Sequence, residues 1–171
     1  HDELTGLANR AHCRDLLRDL LANRAVGEVI TVALVDLDHF KAVNDTFGHL
    51  VGDTLLAHAG QRMRRSIPDR ATLCRIGGDE FAIIFRNASN DQVELVAKSI
   101  IAAIAEPFRI LSHSLHIGAT IGIAASPMDS SEPETLLRYA DLALYAAKAD
   151  RRGTYRKYRP AMDMAAQEKS K

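Results

Sequence analysis

Four acids stand at two points of this chain where apolar runs stop. Asp36 and Asp38 close one run, and Asp79 and Glu80 follow Arg75-Ile76-Gly77-Gly78. Gly77 and Gly78 lie between two short apolar stretches, the pattern of a tight hairpin that carries acids to an exposed edge. Two strand ends bearing carboxylates in one small domain suggest a divalent metal site. Oxygen ligands with room for phosphate oxygens suit Mg²⁺ or Mn²⁺, and such ions promote in-line displacement at phosphorus. Asp36 carries most of this reading, because it follows a mostly apolar run and an unpaired buried carboxylate is costly. Asp38 and Asp79, each taken alone, read as solvated acids beside a turn. Glu80 stays open between a proton acceptor for a hydroxyl nucleophile, an acceptor behind the site, and a strand residue facing water.

A second set of residues has the types needed to hold a nucleotide. His39-Phe40-Lys41 begin a helix just after the Asp36 strand, and a helix start offers amides and positive potential to phosphate. Lys41 either adds charge to a transferring phosphoryl group or is a surface lysine. An amide and a carboxylate, Asn44 and Asp53, match the acceptor and donors on one edge of guanine. Alternatively they serve as a helix-end cap and a helix-start acid. His49, between them, reads as a loop residue, with a nucleotide contact the lesser reading. Lys148 and Arg152, four apart on one helix, either clamp outer phosphates or complement the helix dipole.

These side chains need a sheet and flanking helices to hold them. Residues 8–23 carry Leu16, Leu17, Leu20 and Leu21 at helical spacing, with Gly27 closing the segment. Val29 to Val35 reads as a buried central strand ending at Asp36-Leu37-Asp38. Helices are expected over 39–47 and 50–66, and strands over 72–76 and 80–86. Ser89-Asn90-Asp91-Gln92 has capping-box form and opens a helix to about residue 105. Residues 108–111 and 115–125 suggest a strand pair. Ser131-Glu132-Pro133-Glu134 reads as a second capping box before a helix with Leu136, Ala140, Ala143, Leu144 and Ala147 inward. Residues 154–158 suggest a last edge strand. Helices alternating with a mixed sheet predict a layered α/β (α+β) domain.

Composition narrows the classes. The 171 residues suit one domain with a sizeable core. Lys and Arg number 22, as do Asp and Glu, and this balance argues against a general nucleic-acid binder. Residues 151–171 hold seven basic and two acidic groups, read as a solvated basic end. Cys13 and Cys74 lack metal or disulfide spacing and suit a reducing cytosol. No apolar run approaches the ~20 residues of a membrane span, so a cytoplasmic domain is expected, with membrane anchoring elsewhere in a longer protein left open.

Three blocks in order resemble the GGDEF domain of bacterial diguanylate cyclases. Asp2-Glu3-Leu4-Thr5-Gly6-Leu7-Ala8-Asn9-Arg10 is similar to the opening D-x-L-T-G-L-x-N-R, Asp36 to Asp53 matches the central block, and Arg75 to Phe81 matches the naming motif. The resemblance implies a palm-like fold with a central, mainly antiparallel sheet over residues 1–160. Residues 161–171 would be a tail or connector. It implies GTP as substrate, cyclic di-GMP as product, Mg²⁺ (or Mn²⁺) as cofactor, and a second copy of the domain as partner in catalysis. By position, Asp36, Asp79 and the Leu37 carbonyl hold metal. Asp79, Glu80 and Lys41 serve the chemistry, and the His39 and Phe40 amides meet phosphate. Asn44 and Asp53 meet guanine, with His49, Gly77 and Gly78 beside the nucleotide, and Lys148 and Arg152 meet the outer phosphates.

The chain also departs from the family pattern. The R-x-x-D of the product-inhibition site reads Pro68 and Ala71 at its charged positions, so no feedback through that site is expected. K-x-x-G-R-N reads Lys148-Ala149-Asp150-Arg151-Arg152-Gly153, which leaves the aim of Arg152 unsettled. The stretch Tyr158 to Asp163 is similar to connectors into EAL phosphodiesterase domains. A sensory region upstream and an EAL domain downstream are the expected partners in a longer chain. The alternative to a cyclase is a silent GTP-binding module that controls an attached phosphodiesterase. A palm acting on nucleic acid is disfavoured for want of a basic groove.

Overall fold

The computed structural model describes the backbone of residues 1–169 and the side chains of residues 1–165. Strand β1 (Ile30–Asp38) is the centre of a five-stranded sheet in the order β2-β3-β1-β6-β7. Its neighbours are β3 (Glu80–Arg86) and β6 (Gly118–Ser126), both antiparallel to it. Strand β2 (Thr72–Gly77) pairs with β3, and the edge strand β7 (Tyr155–Lys157) runs parallel to β6. The expected mainly antiparallel sheet flanked by helices is what the chain forms.

Side chains alternate between the faces of a strand, and here the alternation divides two cores. Ala33, Val35 and Leu37 join Phe81, Ile83 and Phe85 in the larger one. That core packs against α2 (Phe40–Phe47), α3 (His49–Arg65) and α4 (Asn90–Ala105). Ile30, Val32 and Leu34 join Ala82, Ile84 and Ala124 on the opposite face, under α1 (Arg10–Ala22) and α5 (Pro133–Asp150). The period continues past Leu34, so Asp36 and Asp38 belong to the α5 face, while Leu37 belongs to the other.

Helix α5 sits unusually close to the sheet. A Cβ on Gly122 of β6 would lie 2.2 Å from the Leu144 nitrogen and 2.3 Å from the Ala140 carbonyl oxygen. The small inward residues Ala140, Ala143 and Ala147 permit this approach.

The expected capping box at Ser89 forms, with Ser89 and Gln92 exchanging side-chain bonds to each other's amides at 3.2 and 2.8 Å. The second does not. Pro133 begins α5 with Glu132 in the cap position, so Ser131 falls one residue too early. Its hydroxyl instead meets Ser126, and the Glu132 amide donates to Ser130. The expected pairing of 108–111 with 115–125 also differs. Strand β4 (Phe108–Ile110) pairs with β5 (His113–Leu115) in a small separate sheet, and β6 begins after it at Gly118. The apolar pattern runs through Leu115 and Ile117 and hid this break.

Residues expected as a tail or connector begin with α6 (Pro160–Lys169), whose Met162 packs on the α5 core, and residues 170–171 lie outside the described residues. Cys13 and Cys74 are both free and buried. No helix among the described residues is long and apolar enough to cross a membrane.

Candidate active site

The β2–β3 turn is built one residue later than two central glycines would place it. Gly77 pairs with Glu80, so Gly78, at φ 38°, and Asp79 form the turn. The Leu37 amide donates to the Asp79 carbonyl at 3.1 Å, tying the turn to the end of β1. Asp36 lies opposite Glu80 on one side and Thr120 on the other. Asp36, Asp79 and Glu80 therefore converge. Burial, then the Asp36 negative charge, pushes the Asp79 carboxyl above its ordinary pKa. Burial, then Asp141 and Asp36, pushes Glu80 up as well. Crowded carboxylates raise one another's pKa, and such clusters are common at functional sites.

Two cations from α5 and the segment after it meet these acids. Lys148 Nζ binds Asp36 Oδ2, and Arg152 Nη1 donates to Asp38 Oδ1 at 3.0 Å. Asp38 is not the solvated acid expected of it: its side chain is 2% exposed and accepts a second bond from the Thr120 hydroxyl at 2.7 Å. Both pairs follow from the sheet alternation, which turns Asp36 and Asp38 toward α5.

Directly after β1, His39 takes a left-handed conformation, φ 69°, and caps α2 through its backbone alone. The bend leaves the amides of the first turn without intrahelical acceptors, while Phe40 is buried as an anchor and Lys41 is exposed. At the other end of α2, Asn44 is half-buried. Its Oδ1 is enclosed and has no hydrogen-bond partner among the described side chains. The Asn44 backbone carbonyl accepts from the Gly48 amide, so the side chain is not the helix cap. Gly52, on α3, faces that side chain: a Cβ there would lie 1.6 Å from Asn44 Oδ1. Asp53 and His49 are exposed alongside. An acceptor enclosed without a partner is costly, and this one is closed in against Gly52.

The site residues thus fall into two groups joined by α2. Asp36, Asp79, Glu80 and Lys148 lie at its start with Arg152 beside them, and Asn44, Asp53 and His49 lie at its end. Asn44 lies four positions after Phe40, roughly 6 Å of helix rise. Among the described residues, no cluster of three or more His, Cys, Asp or Glu forms a metal cage. The Asp36–Asp79 pair offers hard oxygens only, a donor set that fits Mg²⁺ or Mn²⁺ completed by ligand oxygens and not zinc.

Sequence reasoning passed over the parts that hold the turn. Arg75 donates from Nε and Nη2 to the Gly78 carbonyl at 3.1 and 2.9 Å, and from Nη1 to Asp2 at 3.1 Å. Asp2 also accepts from the Thr5 amide and hydroxyl at 2.9 and 2.6 Å. Burial would raise its pKa, but the Thr5 bonds and the Arg75 charge together hold it below the usual range. The signal was present, since Asp2 and Arg75 sit in two of the motif blocks. Their pairing across the chain was not legible.

The chain matches the family model described as "Diguanylate cyclase, GGDEF domain" over residues 1–154. It is 39% identical over 161 residues to the signaling protein YkoW of Bacillus subtilis, covering 92% of this chain and 20% of YkoW. It is 36% identical over 174 residues to the bifunctional diguanylate cyclase/cyclic di-GMP phosphodiesterase MucR of Pseudomonas aeruginosa, covering 98% of this chain and 25% of MucR. The chain therefore spans about a quarter or less of these curated relatives. Among solved structures, the isolated GGDEF domain of TpbB (YfiN) from Pseudomonas aeruginosa superposes with a TM-score of 0.89 at 36% identity, covering 98% of this chain and 99% of that one. With the family match running from the first residue through the turn and α5, and the fold shared almost end to end, this chain belongs to the GGDEF domain family of diguanylate cyclases.

Proposed function

We propose that this domain condenses two GTP molecules into cyclic di-GMP and two pyrophosphates. The observation that carries the reading is the crowding of Asp79 against Asp36, next to a helix start and a cation pair. The 3′-hydroxyl of one GTP attacks the α-phosphorus of another. The new O–P bond forms as the α–β bridging bond breaks and pyrophosphate leaves with its electron pair. A second, reciprocal transfer closes the ring. One domain holds one GTP, so two copies face each other about a two-fold axis.

Asp36, Asp79 and the Leu37 carbonyl would hold Mg²⁺ or Mn²⁺, which when bound supplies charge to the phosphates and lowers the pKa of a coordinated hydroxyl. The His39 and Phe40 amides and Lys41 bind phosphate, and Lys148 moves from Asp36 toward the phosphates as they arrive. Asn44 and Asp53 read guanine, with His49 flanking. Glu80, whose raised pKa suits proton transfer nearer neutrality, accepts the proton from the attacking hydroxyl. Gly77 and Gly78 let the backbone approach the nucleotide. Rate enhancement comes from positioning and charge stabilisation.

A second reading, a catalytically silent GTP-binding module regulating an attached phosphodiesterase, draws on the cyclic di-GMP phosphodiesterase PdeR of Escherichia coli, 37% identical over 162 residues, whose name carries no cyclase activity. The test is the chain fused to a dimeric coiled coil, incubated with GTP and Mg²⁺ and assayed for cyclic di-GMP. Asp36→Asn and Asp79→Asn should each lower the rate by about 10²–10³, the size of losing one group that stabilises developing charge. Tight GTP binding without product from the wild type would favour the regulatory module.

A further inference from the structure

Asp38 has no part in the proposed chemistry, yet it is the most deeply buried acid near the site, with its side chain 2% exposed. A carboxylate this enclosed is costly unless its oxygens are bonded. Both are: Oδ2 accepts from Thr120 Oγ1 at 2.7 Å and Oδ1 from Arg152 Nη1 at 3.0 Å. The Thr120 hydroxyl in turn accepts from the Gly153 amide at 3.0 Å. A continuous path thus runs from β1 through β6 into the segment after α5.

The energetic demand is one-sided. Arg152 is 55% exposed and needs no partner to be solvated, whereas Asp38 does. The acid therefore draws the arginine in. That matters because the segment has lost the glycine and asparagine of the K-x-x-G-R-N pattern, having Arg151 and Gly153 there instead. Gly153 sits at φ 78°, a left-handed position that suits glycine or asparagine, and its amide is held by Thr120. One guanidinium N–H is committed to Asp38, and the other four remain for a ligand. Asp38 lies two residues beyond Asp36 on the same strand face, roughly 7 Å along the strand, and the guanidinium is bonded to Asp38.

We infer that Asp38 is a positioning residue: through its bond to Arg152, and with Thr120 and Gly153 as backing, it aims that guanidinium at the outer phosphates of a bound nucleoside triphosphate. This rests on the reading of the site as a GTP site.

The test compares equilibrium binding of the α,β-methylene analogue of GTP, which cannot react, with that of GMP, which lacks the outer phosphates. Asp38→Asn should weaken the analogue about tenfold, the size of one charge-assisted hydrogen bond, and leave GMP unchanged. Arg152→Ala should do the same, and the double variant should be no weaker than Arg152→Ala alone. In the dimerised chain the loss should appear chiefly in KM. Should Asp38→Asn fail to fold, Thr120→Val takes its place, because it removes the hydroxyl holding the other carboxylate oxygen. Wild-type affinity for the analogue in the variant, or equal losses for the analogue and GMP, would overturn the assignment. Wild-type protein that binds neither nucleotide would overturn the GTP-site reading itself, and the two failures are distinct.

Discussion

Replacing Gly52 with alanine separates the proposed base recognition from folding. The new methyl carbon would stand 1.6 Å from Asn44 Oδ1 and 2.8 Å from its Cγ, so the two cannot coexist as they are. What yields is the end of a side chain, not backbone. Asn44 Oδ1 has no bond to lose, so its displacement costs on the order of 1 kcal/mol of rotamer strain. Alanine is favoured over glycine in a helix interior by about 1 kcal/mol. The two nearly cancel, and the melting temperature should stay within ~4 °C of wild type. Guanine recognition should not survive as well. Losing the amide's bonds to the base, each about 0.5–1.5 kcal/mol net, predicts a roughly tenfold fall in GTP affinity. ATP, which cannot use the amide in the same way, should be unaffected, so the preference narrows by the same factor. Competition binding of GTP and ATP, paired with thermal melts, measures all three quantities. Unchanged GTP affinity would refute the placement of guanine at Asn44. Equal losses for GTP and ATP would show that the methyl disturbs the site at large.

Two further outcomes follow from the acids and from the missing feedback residues. Burial and Asp36 raise the Asp79 pKa in the fold, so the folded state prefers its protonated form. That contribution is full below the ordinary Asp value of about 3.9 and is lost as pH rises through the raised value. In metal-free buffer near neutrality Asp79→Asn should therefore melt higher than wild type, with the gap closing toward acid, and added Mg²⁺ should raise the wild type alone. A variant melting at or below wild type at neutral pH would contradict the crowding. Separately, cyclic di-GMP added at the start of an assay should slow the reaction no more than competition with GTP requires, because Pro68 and Ala71 offer no charges there. Non-competitive inhibition would refute this.

The turn and the central strand were legible because each is encoded locally. Val29 to Val35 is a short apolar run closed by acids, and Gly77-Gly78 places the reversal to within one residue. The capping box at Ser89 is likewise complete within four residues. What escaped notice depends on partners distant in sequence. The burial of Asp38 follows from continuing the two-residue alternation past the apolar run, which polarity alone masks. Its bond to Arg152 joins residues 114 apart, and the Arg75–Asp2 bond joins residues 73 apart. Ser131 fails as a cap for a local reason: Pro133 is the first helical residue, which puts Glu132 and not Ser131 in the cap position.

The close seat of α5 on Gly122 makes layer separation a variable of the chemistry. Lys148 and Arg152 reach Asp36 and Asp38 only across the gap between helix and sheet. Any side chain at position 122 would shim that gap open, because the obstruction is α5 backbone and cannot swing aside. Both cations would then withdraw together, while every residue proposed to touch nucleotide kept its identity. A domain could in this way keep its whole motif and be silenced by one carbon on a strand that carries none of it.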